Sequence, residues 1–253
     1  MSLLKQIYYL IVRDLNVRFK RPATFIPALF ISGFFFLAFG YAFQSFTRLP
    51  GFPTTNYIAF LTPFILLQSM VFSSGDAGFS ILTDILSGYF DKLLLTPINR
   101  FSILFASLFT ASLRALIQAL LIISLAVGLG VSFSTGIPGI LAVIWFATTF
   151  GVAWSCIGIA VALLTRNAEA TQSYFVLFFP AVFLTTGFVP LELLPGWFQT
   201  LARINPVTYV MNAARDIVVQ GWTGTVLTGL IVLAAFTVVL MGVTTWIFRR
   251  STA

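Results

Sequence analysis

Six long apolar stretches, almost free of charge, run through this chain of 253 residues. Charged residues make up only 8% of it, against roughly a quarter in soluble domains. One soluble core of this size could not cover so much apolar surface, whereas a bilayer can. Helices that sit side by side in lipid form one bundle, so the expectation is a single-domain, all-α membrane protein. The stretches place six transmembrane helices at about 23–43, 57–75, 101–133, 139–164, 171–188 and 223–248. Each is close to or above the roughly 20 residues a span requires.

The segments between the spans are less uniform. In residues 3–21, Leu3, Leu4, Ile7, Leu10, Ile11 and Leu15 recur at helical spacing among Lys5, Arg13, Arg18, Lys20 and Arg21. This pattern predicts an amphipathic helix over 1–21 lying in the membrane surface, with Arg13, Arg18, Lys20 and Arg21 anchored on lipid phosphates. Residues 76–100 hold Asp76, Asp84, Asp91, Lys92 and Arg100. Within them SILTDILSGYFDKLLL, at 80–95, predicts a short amphipathic helix. Such a helix can dock in a groove of a soluble partner or simply turn the chain. Residues 189–222 are too apolar for a free loop and too proline-broken for a span. Short re-entrant or interfacial helices fit there, with Trp197 at headgroup level.

Lysine and arginine set the orientation. With the N-terminus inside, Lys5, Arg13, Arg18, Lys20, Arg21, Lys92, Arg100, Arg166, Arg249 and Arg250 are cytoplasmic, and only Arg48, Arg203 and Arg215 are external. Ten against three places both termini in the cytoplasm. A net charge of +7 is then a membrane signal and not a nucleic-acid footprint. Arg114 is the one basic residue well inside an apolar run. Its span is long enough for the side chain to snorkel to cytoplasmic headgroups; the other reading puts it on an internal pathway.

Absences narrow the function. There is no histidine, the commonest general base and metal ligand. The chain has no GxxxxGK[ST] phosphate loop. No nucleophile–base pair or metal cluster is visible, which disfavours a membrane enzyme. The cores of the spans hold no Asp or Glu for a proton relay. Cys156 is alone, so no disulfide forms within the chain.

Several motifs together resemble the membrane subunits of ABC-2 type transporters, and within them the daunorubicin-resistance exporter permeases. They are YIAFLTPFILLQSMVF at 57–72, DILSGYFDKLLLTPINR at 84–100, SLRALIQ at 112–118, RNAEATQ at 166–172 and, most specifically, TGFVPLELLPGWFQTLARINPVTYVMNAAR at 186–215. The resemblance implies a single ABC-2 transmembrane domain over 1–253 that exports an amphipathic drug, lipid or glycolipid from a bacterial inner membrane. It implies two separately encoded ATPase subunits that bind the ATP and magnesium, and a second permease copy forming a homodimer. The helix at 80–95 would be the cytoplasmic coupling helix, with Asp84, Gly88, Phe90, Asp91, Lys92 and Pro97 facing the ATPase. Pro190, Leu194, Pro195, Gly196, Trp197 and Pro206 would form external re-entrant helices at the substrate exit. Lys92 stands where the pattern more often has arginine, so its grip on a carboxylate would lack the forked geometry. Polysaccharide export and a non-transporting scaffold are the rival readings.

Overall fold

The computed structural model describes residues 3–19, 25–96 and 98–251. Helices dominate, and no strand occurs among the described residues. In chain order they are α1 (Leu3–Phe19), α2 (Phe25–Ala42), α3 (Tyr57–Leu86), α4 (Tyr89–Leu94), α5 (Arg100–Gly128), α6 (Gly136–Thr165), α7 (Ala168–Ser173), α8 (Gly196–Ile204), α9 (Pro206–Val219) and α10 (Gly224–Ser251). Asparagine side chains start four of them. Asn56, Asn99, Asn167 and Asn205 each accept from the first free N–H groups of α3, α5, α7 and α9, the groups that a helix cannot satisfy internally.

Helix α3 is the hub. Every residue from Tyr57 to Val71 is buried, as expected of a helix apolar on all sides. It touches α2, α5, α6 and α9. Small residues bring the backbones close: a Cβ on Gly78 would lie 2.6 Å from the carbonyl oxygen of Gly158 on α6. Helix α10 is the opposite case. It leaves Leu227, Ile231, Val238, Val239 and Trp246 exposed along its length, an apolar face suited to lipid.

Among the described residues four helices, α3, α5, α6 and α10, are long and apolar enough to cross a membrane. The expected first span is α2, whose 18 residues reach about 27 Å. The expected fifth span, 171–188, is not one helix. It runs through α7, a 3₁₀ turn at Tyr174–Leu177 and a π turn at Phe179–Phe183, then unwinds. Pro180 lies in that π turn, and proline withdraws a backbone donor and crowds the preceding turn.

The second span also differs from expectation. Helix α3 continues past Gly75 to Leu86, so Asp76 and Asp84 lie on it and not in a loop. The stretch 80–95 is therefore two helices that meet at Ser87–Gly88. Gly88 has φ +69°, in the left-handed region where a side chain is strained.

Candidate functional site

The α3–α4 elbow displays one set of side chains outward and locks another inward. Phe90 is 3% exposed, and its ring stands nearly perpendicular to that of Phe248 on α10, with centroids 6.1 Å apart. Leu93, one turn on, joins the same small core with Ile81, Ile103 and Ile247. These contacts fix α4 to the bundle. The opposite face carries Asp91 and Lys92, both exposed, between Leu86 at 66% and Leu95 at 87% exposure. A rigid, amphipathic projection of two apolar ends and a central charge pair suits docking into a groove.

The elbow is also clasped from α1. Arg13 donates from Nη1 to Asp84 Oδ2 at 2.7 Å and from Nη2 to Asp84 Oδ1 at 2.6 Å. Its guanidinium lies 3.9 Å from the centre of the Tyr89 ring. The hydrogen bond to Asp84 raises the Arg13 pKa against the opposing effect of partial burial. Arg13, expected on lipid phosphates, and Asp84, expected to face a partner, are thus bonded to each other. The side chain of Arg18, together with Lys20, Arg21 and Pro97, lies outside the described residues.

Arg114 is 3% exposed and forms an ion pair with Asp76 of α3. A charge this deep requires a partner, and the unexpected length of α3 supplies one.

At the other end of the bundle the proline-broken segment folds over the tips of α3 and α9. Pro190 is buried, Leu194 is partly covered, and Pro195, Gly196, Trp197 and Pro206 are exposed. Helix α8 turns Trp197, Leu201 and Ile204 outward, one stripe at helical spacing. Asn205 links the segment to the unwound stretch: its Nδ2 donates to Ala181 O at 2.9 Å and Leu184 O at 3.0 Å. The Tyr57 hydroxyl donates to Phe188 O at 2.9 Å.

Sequence reasoning missed Arg215, which counted only as an outer-loop charge. It is 6% exposed. Nε donates to Phe60 O at 3.2 Å, Nη1 to Asn212 Oδ1 at 3.0 Å and Thr186 Oγ1 at 3.3 Å, and Nη2 to Thr186 O at 2.7 Å and Gly187 O at 3.4 Å. The guanidinium also stacks 3.8 Å over the Phe60 ring. Its one visible signal was an arginine following NPVTYVMNAA with no acidic residue one helical turn away on either side.

The comparisons with known proteins agree with this architecture. The sequence profile of the ABC-2 type transporter family matches residues 5–219. The ycf38 transport permease of Cyanophora paradoxa is 30% identical over 210 residues, 82% of this chain and 72% of that protein. The daunorubicin resistance ABC transporter permease protein DrrB1 of Streptomyces coeruleorubidus is 27% identical over 76% of this chain and 65% of its own. The doxorubicin resistance ABC transporter permease protein DrrC of Mycobacterium tuberculosis is 26% identical over 69% and 63%. The chain thus spans just under two thirds of these two drug-resistance permeases. ABC-2 permeases work with an ABC ATPase. With its apolar helices and a profile match over most of its length, the chain belongs to the ABC-2 type transporter family, as a multi-pass membrane permease.

Proposed function

We propose that the chain is the permease subunit of an ATP-driven exporter, and that the α3–α4 elbow is the surface on which the ATPase seats. The observation that carries this reading is the division of labour on α4. Phe90 and Leu93 hold it rigidly to the bundle, while Leu86, Asp91, Lys92 and Leu95 stand free. A movement imposed on the outer face is therefore passed to α3 and α10. The resemblance supports two ATPase subunits, a permease homodimer and a bacterial inner membrane.

In this reading α2 and the broken 171–188 stretch complete six crossings, α1 lies along the cytoplasmic surface, and both termini are cytoplasmic. Residues 189–222, with α8 among them, form the external re-entrant segment. Two relatives named for daunorubicin and doxorubicin resistance support an amphipathic drug-like or lipid cargo over a polysaccharide.

The test is to express the tagged chain in its native host, recover it in mild detergent, and measure daunorubicin efflux from the same cells. A stoichiometric ABC ATPase and raised efflux support both halves of the reading. An ATPase without efflux of daunorubicin, or of fluorescent phospholipid as a second probe, removes the cargo half. A clean permease with no ATPase returns the scaffold reading.

A further inference from the structure

The elbow has one hinge-like position, and on its inner side Ile81, Phe90 and Leu93 share one apolar core. Asp84 sits in the last turn of α3 and Tyr89 opens α4. Between them the chain turns through Gly88, held locally by bonds such as Gly88 N to Ile85 O at 3.0 Å and Ser87 Oγ to Asp84 O at 3.2 Å. Arg13 is the side chain that reaches both sides. Its fork takes both oxygens of Asp84, and its flat face lies on Tyr89.

Helix α1 is itself fixed. It packs along α5, and Gln6 Oε1 accepts from Asn99 N at 3.1 Å and Ser102 Oγ at 3.4 Å. Gln6 and Arg13 are seven residues apart, two helical turns, so they share a face. One face of α1 therefore holds the chain both where it enters α4 and where it leaves for α5. Apolar packing secures the inner side of the elbow; on the side facing α1 a cavity of about 410 Å³ lies between α1 and α4, bounded by Tyr9, Leu10, Tyr89 and Leu93, and there Arg13 supplies the polar link.

We propose that Arg13 is the positioning residue of the docking elbow, fixing the angle between α3 and α4 and so the attitude in which Leu86, Asp91, Lys92 and Leu95 meet the ATPase. The proposal rests on the docking reading above. Lysine cannot replace Arg13, since one ammonium cannot take two oxygens in a fork and lie flat on a ring. Both side chains remain partly in solvent, Arg13 at 32% and Asp84 at 19%. The clasp therefore adds little to global stability, and its effect is on the angle.

The experiment measures ATPase retained per folded permease, counting only the monodisperse fraction in detergent. Arg13→Gln lowers that ratio about fivefold and Arg13→Lys lowers it by less. Asp84→Asn, which removes the charge that holds the fork, lowers it about as far as Arg13→Gln, and the double variant Arg13→Gln with Asp84→Asn lowers it no further than Arg13→Gln alone. A purely structural role for Arg13 would reduce the yield of folded permease and leave the ratio unchanged. A wild-type ratio in Arg13→Gln overturns the proposal, as does a double variant in which the losses of Arg13→Gln and Asp84→Asn simply add. If Arg13→Gln gives no monodisperse protein, a wild-type ratio in Arg13→Lys overturns it. A wild-type chain that retains no ATPase overturns the docking reading first, and with it the role of Arg13 in docking.

Discussion

Three arginines in this chain do work that composition alone assigns to lipid headgroups or solvent. Arg114 and Arg215 are buried, and each is stabilised differently. Arg114 is balanced by Asp76, so removing one partner strands the other. Arg114→Leu is expected to cost about 3 kcal/mol, and joining it with Asp76→Leu to recover much of that loss. Thermal unfolding of the purified single and double variants in detergent measures both. Equal losses in the single and the double would mean the pair carries no coupling. Arg215 has neutral oxygens as partners. Lysine offers at most three donors in place of five, so Arg215→Lys is expected to destabilise by roughly 2 kcal/mol through the carbonyls it leaves unpaired. The loss should appear first as protease sensitivity near Thr186–Gly187. Unchanged cleavage there would show that Arg215 does not hold that stretch. The sequence exposed neither arrangement, because their partners lie 38 residues away for Arg114 and up to 155 for Arg215. Helical spacing reports only neighbours within about a turn.

At the scale of elements, the elbow separates a residue that folds it from residues free to bind. Phe90→Ala removes a buried ring and is expected to cost about 3 kcal/mol of stability. Asp91→Ala with Lys92→Ala touches only exposed side chains, so stability should stay within about 0.5 kcal/mol while ATPase retention falls. Measuring unfolding and retention together checks the split, and a stable, fully binding Asp91→Ala/Lys92→Ala variant would remove those two residues from the docking surface. Gly88→Ala places a methyl group at φ +69° and is expected to cost about 1–2 kcal/mol. Much of this level was legible in the sequence. The all-helical architecture was, and four of the long apolar runs stand in the structure as helices long enough to cross a membrane. The end of α3 was not legible, because Asp76 looks like a loop residue until Arg114 is seen beside it, and the helix expected at 80–95 gives no sign that Asp84 belongs to the span before it. Nor was the break in 171–188, where hydropathy stays high while Pro180 alters the backbone.

At the scale of the molecule, the bundle has a rigid hub, a lipid-ready face and two functional ends. Helix α3 joins the ends: it begins beneath Arg215 and finishes in the grip of Arg13. A force on the elbow therefore has one continuous helix, buried from Tyr57 to Val71, along which to reach the proline-broken segment. The central claim is that the elbow, and no other exposed surface, seats the ATPase. The direct measurement is photocrosslinking in native membranes, with a photoreactive residue placed at Leu95 and, as a control, at Trp197 at the opposite end. The account predicts an ABC ATPase crosslinked to position 95 and none to position 197. An ATPase that co-purifies with the chain yet crosslinks only at position 197 would contradict it.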